Sequence, residues 1–300
     1  MKKILIATMA LGLLLVGYSV SAAEVDLYGS VNYKVSNDDD STGKAVLKAQ
    51  NNGSIIGVDF SETLVEGQTG GIKGFGKIEV GVDADDSGSD TFDSRLAYVG
   101  VDAGPVGSVS MGRQANPGAG VSKTNIFNVY GANATFNYAD RTSNTVKYSN
   151  SVGPVTVDAL AVIDGATGKD GIDVTDISAS MDLGPIAISG GLVNDKVNVI
   201  KYRLASASID LAGITLATTY SYKDTATTDL TGMEYTASTT VAGNTISIGL
   251  QDKEGTGNYY TAGVSRNLSD SLTTYAEYQL TDVDTGTDTT QMAIGLKFTF

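Results

Sequence analysis

The chain has no cysteine and no histidine, only 4 prolines in 300 residues, and no long apolar run after its first 22 residues. Each absence removes a class. Without cysteine there is neither a disulfide framework nor a thiolate metal site. Without histidine, Ser-His and Asp-His catalytic arrangements are excluded, and no two carboxylates form a distinctive acid–base couple. No reaction, catalytic residue, metal or cofactor is therefore expected. A spanning helix needs ~20 consecutive apolar residues, and none follows residue 22. Positive charge is also scarce: 20 Lys and Arg face 34 Asp and Glu, a net charge of −14. That argues against nucleic acid as a partner, since phosphate binding needs basic surface.

What is present favours strands and turns. There are 36 glycines and 15 tyrosines, and Thr and Ser abound. Met1-Lys2-Lys3 is a short basic start, Ile4 to Val20 is almost wholly apolar, and Val20-Ser21-Ala22 supplies small residues for cleavage. The expected division is a signal peptide at 1–22, cut after Ala22 or Ala23, and one domain at 23–300 that leaves the cytoplasm.

The last ten residues point to its destination. Met292, Ile294, Leu296, Phe298 and Phe300 alternate with Gln291, Ala293, Gly295, Lys297 and Thr299. Successive strand residues face opposite ways, so one face of this segment is oily and ends on an aromatic. Outer-membrane barrels alternate lipid-out and lumen-in in this manner. The same period runs from Val25 and Leu27 through Ile78 and Val80, Leu216 and Tyr220, to Ile246 and Ile248.

Sixteen strands are expected, near 24–35, 46–61, 71–82, 92–102, 106–113, 141–150, 154–163, 173–182, 186–195, 196–210, 213–223, 230–241, 244–252, 257–267, 271–281 and 289–300. The second is the weakest, which leaves 14 or 18 open. Short Gly/Pro turns such as Asp182-Leu183-Gly184-Pro185 alternate with longer polar loops at 36–43, 83–91, 164–173, 224–229 and 282–288. The fold class is thus all-β, a closed antiparallel transmembrane β-barrel in outer-membrane lipids. A barrel of this size leaves an aqueous channel.

One connection breaks the rhythm. Gln114 to Asp140 is 27 residues with no clear strand, and it carries Ile126, Phe127, Val129, Tyr130, Phe136 and Tyr138. Long structureless loops are unusual and often functional. Its apolar groups are badly placed in open water, so this third loop is expected to fold into the lumen.

With Val25-Asp26-Leu27-Tyr28-Gly29, Ser94-Arg95-Leu96-Ala97-Tyr98-Val99-Gly100-Val101, Gly112-Arg113-Gln114, Arg141-Thr142-Ser143-Asn144-Thr145-Val146-Lys147-Tyr148 and the terminal Phe300, the chain resembles the Gram-negative general porins. The resemblance implies a homotrimer of 16-stranded channels passing small hydrophilic solutes and ions through the outer membrane. It also implies a constriction where a basic ladder faces the third loop. Arg95 and Arg141 match ladder positions, and Lys147 shares the face of Arg141. Ser30 and Ile55 stand where many relatives carry a base. Asp140 is the loop's sole carboxylate, so charge selectivity is expected to be weak.

Reading apolar neighbours as lipid-facing puts Leu96 and Tyr98 outside and Arg95 inside, with Arg113 bracing the loop base or a subunit contact. The same parity gives ten inward bases: Lys34, Lys73, Lys77, Arg95, Arg141, Lys147, Lys201, Arg203, Lys223 and Lys297. Six inward acids accompany them: Asp26, Glu79, Asp158, Asp176, Glu234 and Glu277. Lys73, Lys77, Glu79, Lys201 and Arg203 are the expected pore wall around the constriction. A substrate-selective channel, for example for sugars, is the alternative, with Tyr28, Tyr259 and Tyr275 pointing inward. Asp83-Asp85-Ser87-Gly88 and Asp282-Asp284-Gly286-Asp288 match calcium loops poorly, since neither has the Glu at the twelfth position.

Overall fold

The computed structural model describes residues 23–39, 44–66, 71–85, 90–165 and 171–300. The segment read as a leader, and parts of the loops at 36–43, 83–91 and 164–173, lie outside these residues. The alternating segments become β1 (Glu24–Asp39), β2 (Ala45–Asn51), β3 (Ser54–Val65), β4 (Ile72–Val82), β5 (Phe92–Asp102) and β6 (Ser108–Ala115). Next come β7 (Arg141–Val152), β8 (Val155–Val162), β9 (Val174–Asp182), β10 (Ile186–Asp195), β11 (Ile200–Leu211) and β12 (Ile214–Asp224). The last are β13 (Asp229–Val241), β14 (Asn244–Lys253), β15 (Gly257–Asn267), β16 (Leu272–Val283) and β17 (Thr289–Thr299).

Residues 45–65 form one stave broken at Asn52-Gly53. The upper half of β1, Tyr33 to Asp39, pairs with β2, and its lower half, Glu24 to Ser30, pairs with β3. The barrel therefore has sixteen staves, and the weak second strand of the sequence is this interrupted one. Side chains bridge the gap: Asn51 accepts from the Ser54 hydroxyl at 2.7 Å, and Asn32 donates to the Asn52 carbonyl at 2.8 Å.

All neighbours are antiparallel, and β1 closes on β17 from Ser30↔Thr299 to Asp38↔Gln291. Gly29 N donates to Phe300 O at 2.9 Å and Phe300 N returns to Gly29 O at 3.0 Å, so both ends of the barrel sequence seal one seam. Closure leaves no unpaired sheet edge, which a lipid environment requires.

Burial is inverted relative to a water-soluble protein. Val25, Leu27, Ile78, Val99, Met111, Ile188, Leu192, Ile248, Ile294, Leu296 and Phe298 are exposed, while Ser30, Asn32, Ser36, Thr219, Ser221, Gln251 and Gln279 are buried. An apolar outer skin around a polar interior is the outer-membrane arrangement.

Candidate functional site

The connection from β6 to β7 builds the interior. Its Pro117–Gly120 segment forms a 3₁₀ turn, and beyond it the backbone bonds to one wall after another. Gly118 N donates to both oxygens of Asp176 on β9, at 2.9 and 3.0 Å. Lys123 N donates to Ser206 Oγ on β11 at 2.9 Å, and Phe136 N to Ser221 Oγ on β12 at 2.9 Å. Glu234 on β13 accepts from Ala134 N, Thr135 N and the Thr124 hydroxyl. Asn133 N reaches Gln251 on β14, and Asn128, Val129 and Tyr130 N reach Glu277 on β16.

These partners all share the face opposite the exposed apolar residues. Hydrogen bonds to carboxylates are the stronger kind, and here three wall carboxylates hold main-chain amides. Tyr130 OH donates to Asp38 Oδ1 at 2.9 Å. Burial, helped by that bond and by the charges of Asp38 and Glu277, holds its phenol well above the ordinary tyrosine range.

The loop's apolar side chains find cover as well. Val121 joins Leu160, Val162, Val174, Val193, Tyr202 and Leu204 in a buried cluster, with Phe136 and Tyr138 against it. Two glycines make room. A Cβ on Gly232 would stand 1.8 Å from Ala134 O, and one on Gly249 would stand 2.8 Å from the Phe127 ring. At its neck the loop is tied by Asn116 N to Asp140 O at 2.9 Å, and Asp140 Oδ1 accepts from Asn137 at 3.2 Å.

That cluster overturns part of the parity reading. Tyr202 and Leu204 are buried inside, opposite Val193 and Gly191, so their neighbours Lys201 and Arg203 point out. Arg203 pairs across with the exposed Leu192 and sits 5.2 Å from the Tyr222 ring centre. Neither lines the pore. Apolar residues mark the lipid face only where nothing apolar occupies the interior, and on β8 to β11 the loop does.

A second correction concerns β5. Leu96 and Tyr98 face Glu79 and Lys77 across the ladder and share their inward side. Simple alternation would then send Arg95 outward. A bulge intervenes: Glu79 pairs with Leu96 and Val80 with Ser94, leaving Arg95 as the extra residue. Arg95 thereby turns inward, its stem over Gly81 and its Nε 2.6 Å from Glu79 Oε1. Tyr28 OH donates to the other Glu79 oxygen at 2.9 Å.

Two further ion pairs join neighbouring strands on this wall. Lys77 Nζ lies 3.0 Å from Asp59, its direct cross-strand partner, and Lys147 Nζ lies 3.4 Å from Asp158. Arg141 makes no ion pair among the described residues, yet the charges of Arg95, Asp140, Glu79 and Arg113 all act on it. Alternation cannot place Arg141, because the ladder shifts between Gly112 and Gln114 and Asn144 has φ +58°. Arg113 donates to Ser94 O at 3.2 Å and Ser143 Oγ at 3.1 Å, bracing strand ends at the loop base. Lys73 stands exposed on the inner side near the short-turn rim.

The ten-to-six tally of inward charge therefore changes. Two bases leave it, and Asp176, Glu234 and Glu277 are buried under the loop. Asp59 joins it. Tyr275 is buried too, donating to Asn32 Oδ1 at 2.8 Å and accepting from Asn52 at 2.9 Å. Among the described residues no group of three His, Cys, Asp or Glu could hold a metal ion.

A family model described as Gram-negative porin matches residues 7–286. Among solved structures the chain is similar to an anion-selective porin from Comamonas acidovorans, at 20% identity and TM-score 0.76, covering 93% of this chain and 100% of that one. It is similar to a loop L8 deletion mutant of OmpT, an outer membrane protein of Vibrio cholerae, at 19% identity, TM-score 0.76 and the same coverage. A Salmonella typhi OmpF complex with daunomycin matches at 16% identity and TM-score 0.75, covering 94% of this chain and 100% of that one. At such identities the likeness is one of fold. Comparison with curated proteins gives no match.

Proposed function

Because the chain belongs to the Gram-negative porin family, it is an outer-membrane diffusion channel, and we propose that it sieves small hydrophilic solutes with little regard to charge. The observation that carries this is the pairing of Lys77 with Asp59, Arg95 with Glu79 and Lys147 with Asp158 on one wall. A passing ion meets dipoles there, and their fields fade faster than those of single charges. Salt screens what is left over ~8 Å at physiological strength. Arg141, with no ion pair among the described residues, contributes a small bias toward anions.

In this reading the loop takes up one side of the lumen and narrows the passage, and Arg95, Arg141, Lys147 and Asp140 frame it. The neutral loop offers no acidic row to set a strong transverse field. No catalysis is ascribed to the chain. Removal of residues 1–22 and assembly as a homotrimer belong to the same proposal.

The test is the reversal potential of single channels in a planar lipid film under a KCl gradient. The expected permeability ratio favours chloride but stays within about fivefold of unity, the effect of ~1 kcal/mol from one charge at close range in water. A ratio beyond that, in either direction, refutes the paired-wall account.

A further inference from the structure

The open wall carries a feature that charge sieving does not use. Phe75, Leu96 and Tyr98 are partly exposed on the inward side of β4 and β5, where a water-filled lumen calls for polar residues. Phe75 and Tyr98 meet edge to face, with ring centres 6.4 Å apart at 74°. They floor a recess of about 210 Å³ with Lys77 and Lys147 among its lining residues. An apolar cavity of ~150 Å³ is large enough to hold benzene, so a six-membered ring fits.

From this recess we infer that the channel binds small organic anions with an apolar body, of the aromatic carboxylate class, as they pass. The inference rests on the channel reading above. The ring lies against Leu96 and Tyr98, and the carboxylate takes hydrogen bonds from Lys77 and Lys147. Each ammonium has three donors and is ion-paired to one carboxylate, Asp59 or Asp158. Both can therefore serve a second anion.

Part of the polar lining is already occupied. Ser110 Oγ donates to Gln114 Oε1 at 2.6 Å, and Gln114 Nε2 donates to Thr145 Oγ1 at 2.9 Å. Those groups satisfy one another, which leaves the hydroxyls of Tyr98, Ser108 and Ser149 beside the two lysines, and the glucose arm of the experiment tests whether they hold a sugar. Tyr28, with Lys77 4.5 Å above its ring, is likewise occupied, donating to Glu79.

The experiment reads the KCl current through the purified channel while benzoate, acetate or glucose is added at graded concentrations. Benzoate should reduce the current saturably, at concentrations about tenfold below those acetate requires, the weight of an aromatic contact. Leu96→Ser, Tyr98→Ser and the pair Lys77→Gln with Lys147→Gln should each raise the half-blocking concentration about tenfold. Tyr259→Ser, on β15, should keep the block. Each variant is compared with its own unblocked current, which also shows that it has folded; should one fail to fold, the others decide.

Equal block by benzoate and acetate overturns the inference. So does block by glucose that survives loss of both lysines. A film carrying no KCl current overturns the channel reading itself, and the inference with it.

Discussion

At the scale of residues, the pair Glu79–Arg95 shows how a pore wall is tuned. Arg95 owes its inward aim to one extra residue in β5, and Glu79 is held from both sides by Arg95 and Tyr28. Removing either partner leaves a lone charge beside the lumen. Arg95→Ala should shift the reversal potential toward cations, and Glu79→Gln toward anions. The double variant should return close to the parent, which a single-channel mutant cycle measures directly. Arg141→Ala should also move preference toward cations, but with no compensating substitution on a neighbouring strand. Little of this was legible beforehand. Sequence shows residue types and their parity, whereas the ion pairs depend on register, and a bulge invisible to parity reverses one side chain. Arg95 turns inward because of that bulge, on a strand whose Leu96 and Tyr98 also face the lumen and not the lipid.

At the scale of elements, strands and loop divide the work. Alternation was readable almost everywhere because each stave has one face toward lipid and one toward polar surroundings. It misled on β11, where Tyr202 and Leu204 turn inward and join Leu160, Val162, Val174 and Val193 in covering Val121. The apolar content of 114–140 was the available signal that something inside would be apolar. Which wall strands it would meet was not written in either segment alone. Glu234 holds three groups of the loop, and an unsatisfied buried amide costs ~1–3 kcal/mol. Glu234→Ala should therefore give a noisier open-channel current while the strand signal in circular dichroism stays unchanged. Gly232→Val should do the same by a different route, because its side chain collides with Ala134 O. If both variants conduct as quietly as the parent, the loop is not held by β13.

At the scale of the whole molecule, closure decides solubility and place. The seam from β1 to β17 joins the first strand to the last, so no part of the barrel is complete until the chain is. Membrane residence then follows from the exposed apolar skin, and the proposed removal of residues 1–22 has its own test. Protein purified from outer membranes should begin at Ala23 or at Glu24, read by intact mass, and should partition into detergent. A product retaining Met1, or one that stays in buffer, contradicts that account. The loop's anchorage has a consequence for how such a protein changes over time. Asp176, Glu234 and Glu277 grip amide protons, which nineteen of the twenty amino acids possess. Substitutions at exposed loop positions such as Asn125 and Ile126 can thus rewrite the filter's chemistry while its seat stays put, so new permeability arises without the cost of a new architecture.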